Sequence, residues 1–197
     1  MQKLVQGMAG LVIIALIPTV AHAHPNPITS GASFASGLLH PLFGLDHLLA
    51  MVSVGILSAQ LGGRALWYVP ALFVSAMLMG GMLGIAGLTL PLIEFGIAFS
   101  VFALGTSIIL SKHIAPGFVI LYVAIFGLCH GYAHGAEMPN TAHSWLYALG
   151  FVIATTAMHL TGIGIEVISK RIPQGTLLLR IAGAAIAGTG LHFIMSL

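Results

Sequence analysis

Two histidines and an aspartate interrupt a largely apolar stretch near the start of the chain. His40, Asp46 and His47 lie in the sequence His-Pro-Leu-Phe-Gly-Leu-Asp-His, inside a run that is otherwise apolar from residue 34 to residue 61. An ionisable side chain in hydrocarbon is costly and by default marks a functional site. Imidazole and carboxylate groups also bind divalent transition metals. We therefore interpret this motif as one half of a metal-ion path through a membrane.

A second motif follows further along the chain. His130 and His134 are four residues apart and Glu137 comes three residues later, so on a helix these side chains share one stripe. Glycines at every fourth position beside the stripe allow another helix to approach closely. We expect this helix to pack against the one with the first motif, so that their ligands combine. Neutral imidazole with carboxylate suits nickel, cobalt or zinc better than copper(I) or magnesium.

The spacing within the first motif leaves the role of Asp46 open. Pro41 suits the first turn of a helix, which predicts that His40 lies at the outer mouth of the first span. On a regular helix His47 returns to nearly the same face about 10 Å deeper, and Asp46 points about 100° to the side. Asp46 is then either a ligand or the acceptor that fixes the His47 tautomer, and Gly44 could let the backbone deviate.

The composition indicates an integral membrane protein. Charged residues make up 5% of the chain and apolar residues 58%, whereas soluble domains carry about 25% charge. The six Lys and Arg residues are scattered, so the chain has no basic patch of the kind that binds nucleic acid. A single cysteine, Cys129, excludes an intrachain disulfide and any Cys-pair metal site.

Residues 1–23 resemble a cleavable signal peptide. Lys3 precedes an apolar run, and the segment ends in Ala21-His22-Ala23, which predicts cleavage before His24; an uncleaved anchor helix is the alternative. The mature chain, 24–197, is predicted to be a single all-α domain, a six-helix transmembrane bundle. We hypothesise that its halves form a 3+3 inverted repeat. The six predicted spans are Ser36 to Leu61, Leu66 to Leu88, Leu92 to Leu110, Gly117 to Gly135, Trp145 to Ile168, and Leu177 to Met195.

The positive charges predict an orientation for the bundle. Lys and Arg fall on alternate connectors, so a mature amino terminus outside the cytoplasm would place all of them in the cytoplasm. Both termini are then outside, and the two motifs lie in the outer half of the membrane. Three further residues are possible secondary ligands. His24 would bind metal at the mouth, although Pro25 weakens such a site because it removes one backbone amide. Glu94 is either a ligand or an interfacial carboxylate. A histidine such as His159 is more often a hydrogen-bonding group between helices than a ligand.

The paired motifs resemble the signature of the HupE/UreJ family of nickel and cobalt permeases. The resemblance rests on His40-Pro-x-x-Gly-x-Asp46-His47 and His130-Gly-x-Ala-His134-Gly-x-Glu137, and it extends over essentially the whole mature chain. It implies uptake of Ni(II) or Co(II), as cargo and not as a catalytic cofactor, across a bacterial inner membrane. The metal would supply hydrogenase, urease or cobalamin synthesis. Where the family usually has Phe, this chain has Cys129.

Other classes of protein remain as alternatives. In an intramembrane zinc-dependent hydrolase, three of these ligands would hold zinc and Glu137 or Asp46 would act as general base. The ligands outnumber what such a zinc needs, which favours transport over catalysis. A metal sensor or accessory scaffold is disfavoured because no soluble output domain exists. Without a nucleotide-binding signature the permease would be secondary, and an oligomer in the lipid bilayer is compatible with this plan.

Overall fold

Every regular element in the described part of the chain is an α-helix. The computed structural model describes residues 30–110, 114–138 and 143–197. The all-α prediction is confirmed for these ranges, whereas the predicted signal peptide and His24 lie outside them. The helices are α1 Ser30–Phe43, α2 Leu45–Leu61, α3 Ala65–Ile85, α4 Ile93–Leu110, α5 Pro116–Ala136, α6 Ser144–Ser169 and α7 Gly175–Met195.

Helices α3 to α7 are long and apolar enough to cross a membrane, and their bounds lie close to the predicted spans. Large apolar side chains such as Trp67, Phe118 and Ile168 are exposed on their outer faces. Polar side chains such as Ser53 and Thr155 are fully buried. This distribution is typical of helices that face lipid. The chain is therefore a multi-pass membrane protein.

The first predicted span, Ser36 to Leu61, is not one regular helix. The segment forms two helices, α1 and α2, which meet at Gly44 with a bend of 83°. Pro41 lies near the end of α1 and not in a first turn, so it withholds a hydrogen bond from the carbonyl four residues back. Gly44 is extended, with φ −85° and ψ 111°, and separates the two helices. The count of six spans holds only if this bent pair is one span.

The glycine stripe of α5 also has a different partner from the predicted one. It packs on α3, the second span, whereas α2 and α5 barely touch. A Cβ at Gly131 would overlap the carbonyl oxygen of Met77, and a Cβ at Gly84 would overlap that of Tyr132. Small residues therefore line both sides of this crossing and bring the two backbones together. The glycines on α3 therefore determine that α5 packs on this helix.

A second close pair joins α2 to α6. A Cβ at Gly55 would overlap the carbonyl oxygen of His159, and a Cβ at Gly162 would overlap that of Val52. Helix α1 packs against the first half of α6, and α7 packs on α4. Two close pairs, α3 with α5 and α2 with α6, thus hold the helices that carry the two motifs. The inverted repeat stays a prediction.

Candidate metal centre

Four histidines from three helices form a continuous series at the end of the bundle where α2 begins and α5 ends. The ring centroid of His40 on α1 lies 4.8 Å from that of His134 on α5. His134 lies 4.2 Å from His47 on α2, and His47 lies 4.5 Å from His130 on α5. His40 is partly exposed and His130 is fully buried. The structure therefore brings the four histidines of the two motifs together in one cluster, which leads inward from the surface.

The outer end of the cluster includes Glu137, which caps the carboxyl end of α5. Ligand atoms of His40, His134 and Glu137 all lie within 4.8 Å of one another. The His40 Nε2–H donates to Glu137 Oε2 at 3.2 Å. This hydrogen bond lowers the pKa of the Glu137 carboxyl below its ordinary value. Glu137 is therefore an ionised carboxylate at the mouth of the cluster.

Asp46 holds the His47 ring in one orientation. Its Oδ1 accepts hydrogen bonds from the backbone N–H of His47 at 2.8 Å and from His47 Nδ1 at 2.8 Å. Because an ionised carboxylate only accepts, Nδ1 carries the ring proton and Nε2 is left as an acceptor. Nε2 is buried and has no hydrogen-bond partner among the described residues. The geometry thus matches the orienting role for Asp46.

Ser100 on α4 plays the same part for His130. The Ser100 hydroxyl donates to the carbonyl oxygen of Ile97 at 2.6 Å, and its Oγ lies 2.8 Å from His130 Nε2. A hydroxyl has one proton, so His130 Nε2 must donate and Nδ1 is the free acceptor. Nδ1 is buried without a partner in the described ranges. Sequence reasoning missed Ser100 because a serine in an apolar helix carries no motif.

His134 completes the inner part of the cluster. It is 4% exposed, its ring packs on Phe151 with centroids 4.1 Å apart, and neither ring nitrogen has a hydrogen-bond partner in the part of the chain described. Together with His47 Nε2 and His130 Nδ1, the cluster presents unpaired, buried acceptor nitrogens. An unpaired buried polar group costs about 1–3 kcal/mol. A borderline divalent metal ion bound to any one of these nitrogens would remove that cost, and among the described residues the ligand atoms that converge within 4.8 Å are those of His40, His134 and Glu137.

The possible secondary ligands lie apart from this cluster. Glu94 is exposed at the start of α4 and lines an open cleft with Glu137. His159 on α6 is 2% exposed, and the buried ring of Phe73 lies between it and the cluster. The Phe73 centroid is 5.3 Å from that of His159 and 5.8 Å from that of His130. The expected interhelical hydrogen bond is not seen, because both nitrogens of His159 lack a partner within the described residues.

Charge is distributed unevenly between the two ends of the bundle, and Glu166 is the one carboxylate at the end that carries the cations. The carboxylates of Asp46, Glu94 and Glu137 lie at the end that carries the histidine cluster, in or near the first turns of α2 and α4 and at the end of α5. The opposite end carries the described cations Arg64, Lys170, Arg171 and Arg180. Carboxylates around an entrance raise the local concentration of cations. The cluster therefore lies at the end that attracts a metal ion.

Comparison with known proteins agrees with the resemblance of the motifs. The family model described as HupE / UreJ protein matches residues 12–193. Protein HupE of Rhizobium leguminosarum bv. viciae is 41% identical over 175 residues, which cover 88% of this chain and 90% of that protein. No solved structure matches the chain. The chain belongs to the HupE/UreJ family.

Proposed function

We propose that this protein is a secondary permease for Ni(II), and also for Co(II), and that it is not an enzyme. It would lie in a bacterial inner membrane with both termini outside the cytoplasm and move the metal inward. The observation that carries this proposal is the set of buried imidazole nitrogens without partners, which belong to His47, His130 and His134. Membership of the HupE/UreJ family supports it.

The series of ring contacts in the cluster suggests the path of the ion. The carboxylates of Glu94 and Glu137 attract a hydrated cation, and His40 with Glu137 offers the first ligands. The ion then exchanges water for the imidazoles of His134, His47 and His130, which follow one another in the series of ring contacts that begins at His40. A pathway must bind its cargo well enough to admit it and weakly enough to release it. Neutral imidazoles, without a buried carboxylate ligand, meet that requirement.

The donor set narrows the choice of cargo. Imidazole nitrogen with an outer carboxylate accepts nickel, cobalt and zinc, whereas a copper(I) site would use sulfur ligands. On a common ligand set Ni(II) binds more tightly than Co(II). Nickel is therefore the preferred cargo in our proposal and cobalt the second.

Uptake into proteoliposomes tests the proposal. Uptake of Ni(II) by the wild type should be saturable, with a higher apparent affinity than uptake of Co(II). Both His47→Ala and His130→Ala should abolish this uptake. His192→Ala is the matched control because His192 is exposed on α7 at the same end of the bundle. Undiminished uptake by both site variants would refute the proposal. So would binding of one metal per chain by a wild type that transports nothing above empty liposomes.

A further inference from the structure

His159 is a buried polar residue that is not part of the histidine cluster. It lies on α6, at the crossing with α2, where its backbone carbonyl faces Gly55. The side chain is 2% exposed, and neither ring nitrogen has a hydrogen-bond partner in the described ranges. A buried polar group without a partner in a native protein calls for an explanation, such as an ion or water that binds there. In a neutral imidazole one ring nitrogen carries the proton and the other is an acceptor, and this acceptor can bind a divalent transition metal ion.

The position of His159 on α6 connects it to the histidine cluster. Phe151, Thr155, His159 and Glu166 recur at intervals of four and seven residues and so share one face of the helix. At the outer end of this face, the ring of Phe151 packs on His134. From the level of Phe151, His159 lies about 12 Å further along the helix axis.

Soft and polar side-chain atoms are packed between these two levels. The hydroxyl of Thr155 is directed at Met51 Sδ at 3.5 Å and at Met77 Sδ at 3.7 Å. These three side chains are buried. Met51 lies one helical turn from His47, towards the opposite end of α2. A thioether and a hydroxyl are weak ligands that an ion in transit can exchange quickly.

Beyond His159, the same face of α6 leads to the end of the bundle that carries the cations. Glu166 is 5% exposed and lies about 10 Å further along the axis. Its Oε1 pairs with Lys170 Nζ at 2.9 Å. A buried carboxylate therefore lies at the cationic end of the helix face that begins at the histidine cluster.

We propose that His159 is an inner binding station for a divalent transition metal ion on its way from the histidine cluster to the end of the bundle that carries Lys170. This inference rests on the proposed permease function and adds a second station to it. One imidazole, with water to complete the coordination of the ion, binds weakly. His159 therefore binds the ion only transiently, and its removal affects the rate of transport more than equilibrium binding.

The experiment compares metal binding with transport in the same purified variants. His159→Leu and His159→Gln remove the imidazole, His159→Cys replaces it with another metal ligand, and Met158→Leu is the control at the adjacent buried position. Equilibrium dialysis should show wild-type affinity for Ni(II) in all of them, because the outer cluster is intact. The initial rate of Ni(II) uptake should fall by about tenfold or more in the Leu and Gln variants, and should partly recover in the Cys variant.

The outcomes separate this inference from the proposed function. Uptake by His159→Leu and His159→Gln at the rate of Met158→Leu, or a parallel loss of Ni(II) affinity in these variants, would refute an inner station and leave the permease standing. If one of the two variants does not fold, the other decides the question. A wild type that binds Ni(II) but transports none would refute the permease and the station together.

Discussion

Replacing Ser100 with alanine removes the group that fixes the tautomer of His130. The Ser100 Oγ accepts the His130 Nε2–H at 2.8 Å because its own proton is used by Ile97. In the variant this buried N–H has no acceptor, or the proton moves to Nδ1 and occupies the nitrogen that would bind a metal. Both alternatives weaken the metal site, and neither changes its four histidines.

The magnitude follows from the difference between the metal-bound and metal-free states. A metal on Nδ1 polarises the ring, so the lost hydrogen bond resembles one to a charged group, about 1.5–3 kcal/mol, whereas a neutral ring loses about 1 kcal/mol. The difference is about 0.5–2 kcal/mol, and each 1.4 kcal/mol changes an affinity tenfold. We expect the Kd for Ni(II) to rise about tenfold in Ser100→Ala.

Equilibrium dialysis of Ni(II) against the purified protein measures this change, and nitrogen-15 NMR of the His130 ring reports the tautomer. Ser100→Thr keeps the hydroxyl and should remain close to wild type. Ser107→Ala is the matched control, because Ser107 is a buried serine on the same helix whose partners are Ala103 and Tyr122. Wild-type affinity in Ser100→Ala, or an equal loss in Ser107→Ala, would refute the reasoning.

Further predictions follow from other parts of the structure. Gly44→Ala should weaken Ni(II) binding in equilibrium dialysis, because its Cβ would lie 3.0 Å from His47 Nδ1 and displace the ring. Gly131→Val should lower the thermal unfolding temperature in detergent, because the added side chain would force α3 and α5 apart. Lys170→Met should lower it as well by leaving the buried carboxylate of Glu166 unpaired, and the double change with Glu166→Gln should recover stability.

A glycine on α7 provides the control for the packing prediction. Gly188, where a Cβ meets nothing within 4 Å, should accept alanine without loss of stability. A Gly44→Ala variant with wild-type affinity would show that the ring has room to move. A double variant no more stable than Lys170→Met alone would show that the unpaired carboxylate was not the cause.

Residue type and spacing predicted the members of the cluster better than its architecture. Imidazoles and carboxylates are so rare in apolar helices that His40, His47, His130 and Glu137 could be selected from the sequence alone. The bend at Gly44 could not be predicted, because a proline followed by a glycine fits both a helix start and a break. Helical periodicity also does not show which helix packs on the glycines of α5. In the structure that helix is α3.

The sequence does not show which nitrogen atom of each histidine is free to bind a metal. Whether Asp46 binds a metal or orients His47 depends on the backbone conformation at Gly44, which spacing does not fix. Ser100 acts on His130 only because α4 lies beside α5 at that level. A hydrogen bond between residues on different helices leaves no trace in the pattern of either helix.

The division of the ligands between two helix pairs has a mechanical consequence. His130 and His134 belong to α5, which is joined to α3, whereas His47 belongs to α2, which is joined to α6. Because α2 and α5 barely touch each other, an ion bound to both would add a link between the two helix pairs, which otherwise meet where α2 and α6 pack on α3. By linkage, if the ion binds more tightly when α2 and α5 lie close together, the ion must itself favour that arrangement, and any movement of α2 away from α5 must favour release.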